Sequence, residues 1–383
     1  TGVMSPEGIS LEVGAKTCIQ VDDIIGTAER FSINYGELPQ DVNIGELILL
    51  DDGKLMLEVV SSDGKNEIIC TVRQGGVLSS KKGVNLPNTK ISLPSLTEKD
   101  ENDLAFAIEQ DVDWIGLSFV RSEKDIIDLK QRISKAGGKA KVIAKIEKPE
   151  ALACIDEIVV ETDGLMVARG DLGVEIPYQN VPLAQKMLIN KGIKYAKPVI
   201  VATQMMETMI TQMSPTRAEV NDVANAVLDG ADAVMLSGET SVGKYPVEVI
   251  NAMTNIIKEM ETDDKIYYKE EPPEKNKERF ISDSICYNAC RLAQRVEVDA
   301  IITMSFSGYT AYKIASQRPS AFVFVFTSNR KILTQLNLVW GVKAFYYNKQ
   351  ISTDHTIADI KYIMKTGGYL VEGGLVINIA SIP

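Results

Sequence analysis

Two short apolar runs in the middle of the chain end abruptly in charged residues. Val142–Glu147 reads Val-Ile-Ala-Lys-Ile-Glu, and the run that starts at Gly164 leads into Arg-Gly-Asp, ending at Asp171. Apolar runs of this length, bounded by turn signals, indicate buried parallel strands whose side chains alternate between two faces. Lys145 and Glu147 therefore share one face at a strand end. With Asp171 they suit a divalent cation and a phosphate or carboxylate ligand, although incidental charges at solvated strand ends would give the same pattern.

Composition and net charge indicate a globular protein and argue against membrane and nucleic-acid partners. The chain has 383 residues, of which 45% are hydrophobic and 24% charged, which indicates a globular protein of two or three domains. It contains no apolar run of membrane-spanning length and no visible signal peptide, so we expect a cytoplasmic protein without a membrane partner. The net charge of −11 argues against a nucleic-acid partner, because phosphate backbones bind basic surfaces.

Cysteine and histidine usage excludes several chemistries. The five cysteines are scattered without a Cys-x-x-Cys pair, which fits reduced thiols. The single histidine, His355, is expected in a polar loop beside Asp354, which argues against a Ser-His-Asp triad or a histidine-rich zinc site built around it. Acid–base chemistry must therefore use Lys, Glu, Asp, Thr or Tyr.

The elements that position these residues change character along the chain. Residues 3–88 read as all-β, with two consecutive hairpins predicted around Asp52-Gly53 and Asp63-Gly64. After Leu96, strands alternate with helices, which predicts a parallel sheet and, with this many units, a (β/α)₈ barrel. The predicted strands are Asp113–Val120, Lys141–Glu147, Gly164–Arg169, Pro198–Gln204 and Ala233–Ser237. The predicted helices are Glu123–Lys135, Pro149–Ile155, Val181–Ala196, Arg217–Asp229 and one after Tyr245, with an amphipathic stretch capped by Thr97 and Asp100.

A charged, proline-containing connector over residues 262–280 precedes a third, α/β module. Its predicted elements are a helix at Ser282–Val296 and strands at Ala300–Ser305, Ala321–Thr327 and Leu370–Ala380. The loop that joins its first strand to a helix is rich in hydroxyl groups, which suits either a phosphate site or simple helix capping. The candidate residues in that loop are Ser305, Ser307, Gly308 and Thr310. Lys81-Lys82, in the β-rich module, could likewise contact phosphate or form a solvated loop.

Several long motifs resemble the pyruvate kinase family, and the likeness runs over essentially the whole chain. They are Ala144–Glu147, Met166–Pro177 (MVARGDLGVEIP), Ala202–Met209 (ATQMMETM), Pro215–Gly230, Met235–Thr240 (MLSGET) and Lys81–Pro87 (KKGVNLP). The resemblance implies a (β/α)₈ TIM barrel with an inserted β-barrel lid and a C-terminal α/β domain. It divides the chain into a lid at 3–88, a partial barrel at 89–262 with residues 1–2, and a regulatory-type domain at 263–383.

The resemblance also implies an activity, phosphoryl transfer from phosphoenolpyruvate to ADP to give pyruvate and ATP, the last step of glycolysis. On matching positions, Glu147 and Asp171 resemble ligands of Mg²⁺ or Mn²⁺, and Lys145 resembles the lysine that stabilises the phosphoryl group. Thr203 resembles the hydroxyl that helps to protonate the enolate. The implied substrate and nucleotide contacts are Ser118, the backbone of Ala168, Arg169, Gly170 and Asp171, and Lys82. A homotetramer that requires K⁺ is implied as well.

The chain departs from the family pattern at its ends. Thr1-Gly2 resembles the end of the third barrel strand, so the first three strands, with their phosphate-gripping arginine and K⁺ ligands, are not in this sequence. The family's last strand and effector loop are also missing after Pro383. We expect the natural polypeptide to carry the upstream strands, and these 383 residues alone to be inactive and poorly soluble. Two rival functions remain open: a Schiff-base aldolase that uses Lys145, and a non-catalytic fragment or homologue.

Overall fold

The structure, a computed structural model, describes residues 1–51, 53–87, 89, 96–349 and 352–380. The chain divides into two compact units. Unit 1 comprises Thr1–Glu101, Glu147–Pro149 and Arg169–Pro182. Unit 2 comprises Asn102–Ile146, Glu150–Ala168 and Leu183–Pro383.

The first part of unit 1 is rich in β-strands, as predicted. Its elements are β1 (Ile9–Leu11), β2 (Lys16–Gln20), β3 (Arg30–Ser32), α1 (Leu38–Asp41), β4 (Leu47–Leu50), β5 (Leu55–Ser62), β6 (Glu67–Gln74), β7 (Gly76–Leu78) and β8 (Val84–Asn85). Within the described residues, β3-β2-β6-β5-β4-β8 form one sheet and β1 pairs with β7. β4–β5 and β5–β6 are antiparallel, so both predicted hairpins are confirmed, although Asp52 itself lies outside the described residues.

One apolar cluster holds this β-rich segment together. Alternate residues of the strands point inward, and Ile19, Phe31, Leu57 and Ile68 are fully buried within it. The segment is followed by α2 (Glu98–Glu109). The Thr97 amide donates to Asp100 Oδ2 at 2.8 Å and the Asp100 amide donates to Thr97 Oγ1 at 3.3 Å, which confirms the predicted cap of this helix.

Strands and helices alternate from residue 114 to residue 260. They are β9 (Trp114–Leu117), α3 (Glu123–Lys135), β10 (Lys141–Ile146), α4 (Pro149–Ala153), α5 (Ile155–Glu161), β11 (Gly164–Ala168), α6 (Arg169–Glu175), α7 (Val181–Tyr195), β12 (Val199–Ala202), α8 (Arg217–Asp229), β13 (Ala233–Val234), α9 (Gly238–Ser241) and α10 (Pro246–Met260). In the described residues, β9 to β13 lie side by side in chain order, and every neighbouring pair is parallel. The five consecutive βα strands predicted for the barrel are therefore confirmed.

Several predicted boundaries were wrong at the C-terminal ends of these strands. β9 ends at Leu117, because Phe119 has a left-handed backbone with φ 54°. β12 ends at Ala202, because Thr203 has φ 68°. The helix predicted at Pro149–Ile155 is interrupted at Cys154, with φ −108° and ψ 23°, and α5 continues beyond it.

The bounds predicted for two helices, α3 and α8, are confirmed, and each has a capping box at its start. In α3 the Ser122 amide donates to Asp125 at 3.1 Å, and in α8 the Thr216 amide donates to Glu219 at 2.8 Å. These local pairs fix where each helix begins, which explains why the two helix starts could be predicted from the sequence. No helix in the described part of the chain is both long and apolar enough to cross a membrane.

The C-terminal part of unit 2 is an α/β module. Its elements are α11 (Phe280–Val296), β14 (Ala300–Met304), α12 (Tyr309–Ser316), β15 (Phe322–Thr327), α13 (Arg330–Gln335), β16 (Val342–Tyr346), α14 (Thr353–Thr366) and β17 (Val376–Ile379). Its described strands form a parallel sheet in the order β16-β15-β14-β17. β16 was not predicted from the sequence. The prediction that His355 lies in a loop was wrong, because Ser352 caps α14 and His355 lies in the first turn of that helix.

A buried ion pair joins two segments of unit 2 that are far apart in sequence. The Arg318 Nη2 lies 3.0 Å from Asp232 Oδ2, with 4% and 5% of the two side chains exposed. Arg318 also donates to the carbonyl of Gly230 at 2.6 Å, and Asp232 accepts from the amides of Val199 and Trp340 at 3.0 and 3.1 Å. One carboxylate and one guanidinium thus connect the start of β12 and the end of α8 with the C-terminal module.

Candidate active site

Lys145 and Ser118 lie together at the ends of two neighbouring strands in unit 2. β9 and β10 pair in parallel with Leu117 opposite Ala144, so Ser118 follows at the level of Lys145. The Lys145 Nζ donates a hydrogen bond of 2.7 Å to Ser118 Oγ, which fixes the position of the ammonium at the rim of the sheet. The structure therefore brings together two residues that the sequence analysis placed in the same site.

Thr203 lies in the same unit, directly after β12, in a strained backbone conformation. Its φ is 68° and that of Gln204 is 53°. A positive φ at a β-branched residue is a true outlier, and such strain costs about 1–3 kcal/mol and persists only where the surroundings enforce it. The hydroxyl donates to the carbonyl of Ala202 at 2.6 Å. The backbone strain at this turn was not predicted from the sequence.

Glu239 is one of the groups that hold this turn. Only 3% of the residue is exposed, and its two carboxylate oxygens accept from different backbone amides. Oε1 accepts from Met206 at 3.2 Å, in the loop after β12, and Oε2 accepts from Ser237 at 2.7 Å, after β13. Sequence reasoning noted Glu239 only as part of a polar strand end. Its role is not evident from the sequence, because the Met206 amide lies 33 residues away and only tertiary structure brings it near.

Replacing Glu239 with glutamine should therefore destabilise this turn. Glutamine has a single acceptor oxygen, so one buried amide would face an NH₂ group and lose its partner. An unsatisfied buried donor costs about 1–3 kcal/mol, and we expect that decrease in the free energy of unfolding, measured by guanidinium denaturation. Glu207→Gln is the matched control, since Glu207 is exposed in the same region. Equal stability of the two variants would contradict this role.

Glu147 and Asp171, the predicted metal ligands, both belong to unit 1. Glu147 follows the last residue of β10 and is 1% exposed, and a carboxylate this buried requires positive charge or hydrogen-bond donors around it. Asp171 is half-buried in the first turn of α6, where the helix dipole favours a negative charge. The two carboxylates thus come from the segments that follow two adjacent strands of the sheet.

The carboxylates of Glu147 and Asp171 suit Mg²⁺ better than they suit a metal whose ligands all come from the protein. Mg²⁺ is commonly held by one or two carboxylates, with water and substrate phosphate oxygens completing its shell. Among the described residues, no group of three or more His, Cys, Asp or Glu side chains is arranged to hold a metal. Glu147 and Asp171, with water and phosphate oxygens as further ligands, are therefore the donor set to test.

The other predicted contacts are distributed over both units. Ala168 is the last residue of β11, whereas Arg169 and Gly170 begin α6. In unit 1, the Lys82 Nζ lies 2.9 Å from Asp51 Oδ1. That hydrogen bond holds the pKa of the Asp51 carboxyl below its usual range. A nucleotide phosphate at Lys82 would therefore have to compete with Asp51.

The hydroxyl-rich loop of the C-terminal module connects β14 to α12. Gly308 precedes the helix with φ 78°, and the Tyr309 amide donates to Ser307 Oγ at 3.4 Å. The hydroxyls of Thr303 and Thr310 lie 3.1 Å apart, and the Ser305 amide donates to the carbonyl of Phe326 at 3.0 Å. The N-cap residue Gly308 makes no side-chain capping hydrogen bond, and phosphate binding in this loop stays a prediction.

Comparisons with known proteins point to one family. A family model described as the barrel domain of pyruvate kinase matches residues 1–250, and one described as its alpha/beta domain matches residues 283–383. The pyruvate kinase of Clostridium acetobutylicum is 41% identical over 387 residues, covering 100% of this chain and 81% of its own. That of Geobacillus stearothermophilus is 43% identical over 388 residues, covering 99% and 65%. The crystal structure of a pyruvate kinase from Cryptosporidium parvum superposes with a TM-score of 0.91 at 35% identity, covering 100% and 79%.

Proposed function

The chain belongs to the pyruvate kinase family, and from that premise we propose that it transfers the phosphoryl group of phosphoenolpyruvate to ADP, giving pyruvate and ATP. The observation that carries this proposal is the hydrogen bond between Lys145 and Ser118 at the ends of two parallel strands. Lys145 precedes the buried Glu147 by two residues in the chain. Phosphoryl transfer depends mainly on positioning and on charge stabilisation. The Lys145 ammonium, fixed by its hydrogen bond to Ser118, would stabilise charge, and a cation held by Glu147 and Asp171 would add to that stabilisation.

Each residue has a proposed part in this reaction. Lys145 stabilises the negative charge on the phosphoryl group, and Ser118 holds the lysine in place. The Thr203 hydroxyl, acting through water, helps to deliver a proton to the carbon of the enolate. Lys82 contacts the nucleotide phosphates after leaving Asp51. The backbone amides of the segment Ala168–Asp171 bind the substrate carboxylate.

Glu147 and Asp171 would hold the divalent cation. When bound, such an ion supplies positive charge to the phosphate oxygens during transfer. Both side chains offer the anionic oxygen that hard cations require, and both lie in the same unit. We propose K⁺ as a further requirement on family resemblance alone, and assign none of the residues of this chain to it.

The remaining proposals come from the family. They are a homotetramer in the cytoplasm, the three-domain division at 3–88, 89–262 and 263–383, and an effector phosphate at Ser305, Ser307, Gly308 and Thr310. The rival aldolase is not favoured, because the two pyruvate kinase family models together match residues 1–250 and 283–383. Borohydride trapping of a Schiff base on Lys145 would instead support the aldolase function.

The direct test is turnover of phosphoenolpyruvate. With Mg²⁺ and ADP present, pyruvate formation coupled to lactate dehydrogenase should consume NADH at a rate proportional to protein. ATP should appear in equal amount. The assay uses the natural full-length polypeptide, because these 383 residues alone are expected to be inactive. Lack of pyruvate and ATP with that purified, folded polypeptide would contradict the proposal.

Glu147→Gln and Asp171→Asn should each raise the Mg²⁺ concentration that gives half-maximal activity. An amide oxygen carries no net charge and binds a hard cation more weakly than a carboxylate does. Glu150→Gln serves as the control, because Glu150 lies three residues beyond Glu147 and is exposed. A Mg²⁺ titration superimposable on that of the wild type in either variant would remove that residue from the metal site.

A further inference from the structure

Unit 1 contains a buried ion pair that none of the proposed steps uses. The Lys148 Nζ donates to Glu175 Oε1 at 2.7 Å, and only 9% and 2% of the two side chains are exposed. The Asn85 Nδ2 donates to the same oxygen at 3.2 Å. Three segments that are distant in sequence thus meet at one carboxylate.

The position of this pair relative to the proposed metal ligands is informative. Lys148 directly follows Glu147 in the chain. Glu175 lies four residues after Asp171 in α6, and residues at that spacing share one face of a helix. The ion pair therefore ties the segment that carries one ligand to the helix that carries the other.

The energetics argue that the pair does more than stabilise the fold. Removing two charges from water costs several kcal/mol per ion, and well-packed apolar residues often replace buried pairs without loss of stability. A seven-residue helix such as α6 is also too short to be stable by itself. An ion pair at its end defines its orientation more strictly than apolar contacts would.

The charges matter as well as the geometry. A lysine adjacent to Glu147 would compete with a cation for that carboxylate if it had no anion of its own. Glu175 supplies that anion at 2.7 Å. The pair therefore directs the Lys148 ammonium to Glu175 and leaves metal binding to its neighbour.

We infer that Lys148 and Glu175 are positioning residues, which set the spacing and charge of Glu147 and Asp171 for a divalent cation. Asn85 supports them by orienting the Glu175 carboxylate. The inference rests on the proposed function, because it assumes that Glu147 and Asp171 bind the metal.

The test is the dissociation constant of Mn²⁺, measured by electron paramagnetic resonance on the purified protein without substrate. Replacing groups that support metal ligands typically weakens binding by ~10–100-fold, and we expect that range for Glu175→Gln and for Lys148→Met. Because the two residues act as a unit, the double variant should bind Mn²⁺ about as weakly as the weaker single variant. Arg73→Gln, which removes the exposed pair with Glu58 in the same unit, should leave the constant unchanged.

Thermal unfolding separates a loss of fold from a loss of metal binding. If Glu175→Gln does not fold, Asn85→Ala decides, because it removes one neutral donor and should weaken Mn²⁺ binding to an intermediate degree. If the folded variants bind Mn²⁺ with the dissociation constant of the wild type, the positioning role is wrong. ATP formation by the wild-type protein would then still support the proposed function. A wild-type protein that neither binds Mn²⁺ nor forms ATP would contradict the proposed function itself.

Discussion

Replacing Lys145 with methionine should lower kcat by at least ~10²–10³-fold, the usual cost of losing one preorganised group that stabilises charge in a transition state. Methionine keeps an unbranched apolar side chain that is one atom shorter, but it cannot carry charge or donate to Ser118. The hydrogen bond of 2.7 Å to Ser118 holds the ammonium in place, so the substitution removes a positioned charge. The coupled assay with phosphoenolpyruvate, ADP and Mg²⁺ measures the change.

The pattern of effects identifies the role of Lys145. Mn²⁺ affinity should stay close to that of the wild type, because the lysine is not a metal ligand. Lys124→Met, an exposed lysine at the start of α3, should retain full activity as the control. A Lys145→Met protein that keeps more than about a tenth of the wild-type rate would exclude the charge-stabilising role.

Replacing Arg318 with methionine should produce the largest loss of stability. Asp232 would remain buried without its cation, and breaking a buried pair in this way costs about 3–5 kcal/mol. The carbonyl of Gly230 would also lose a donor. Guanidinium denaturation followed by tryptophan fluorescence suits this measurement, because the Arg318 guanidinium lies 5.3 Å from the ring centroid of Trp340.

Two further variants distinguish an unpaired charge from lost packing. Asp232→Asn combined with Arg318→Met removes both charges and should recover part of the lost stability. Lys365→Met removes an exposed pair with Glu372 and should change the free energy of unfolding by at most ~1 kcal/mol. An Arg318→Met protein as stable as the Lys365→Met control would show that the buried pair contributes nothing net.

The sequence predicted the order and direction of the strands because their signals are local. Buried runs such as Val142–Ile146 are continuous and apolar, and turn residues bound them. The start of α8 was predictable for the same reason, since Thr216 and Glu219 cap it three residues apart. Ser352 gives an equally local signal for the start of α14, and this cap places His355 in the helix and not in the predicted loop.

The features that were not predicted depend on distant partners. The turn at Thr203 contains no glycine to announce a positive φ, and one of its supports, Glu239, is 36 residues away in the chain. The Lys148–Glu175 pair likewise joins segments separated by 27 residues. Tertiary contacts of this kind leave no periodic pattern, so their positions become evident only in the folded chain.

At the left-handed turn of Thr203, we expect substitutions that raise thermal stability to lower the rate of turnover. Glycine would adopt a φ of 68° without strain, and asparagine tolerates it far better than a β-branched residue does. Laboratory evolution for heat resistance alone should therefore favour these residues at position 203, because relieving backbone strain stabilises the folded state. Each such change would discard the hydroxyl proposed to deliver the proton. Retention of threonine at this position would mark selection for rate over selection for stability.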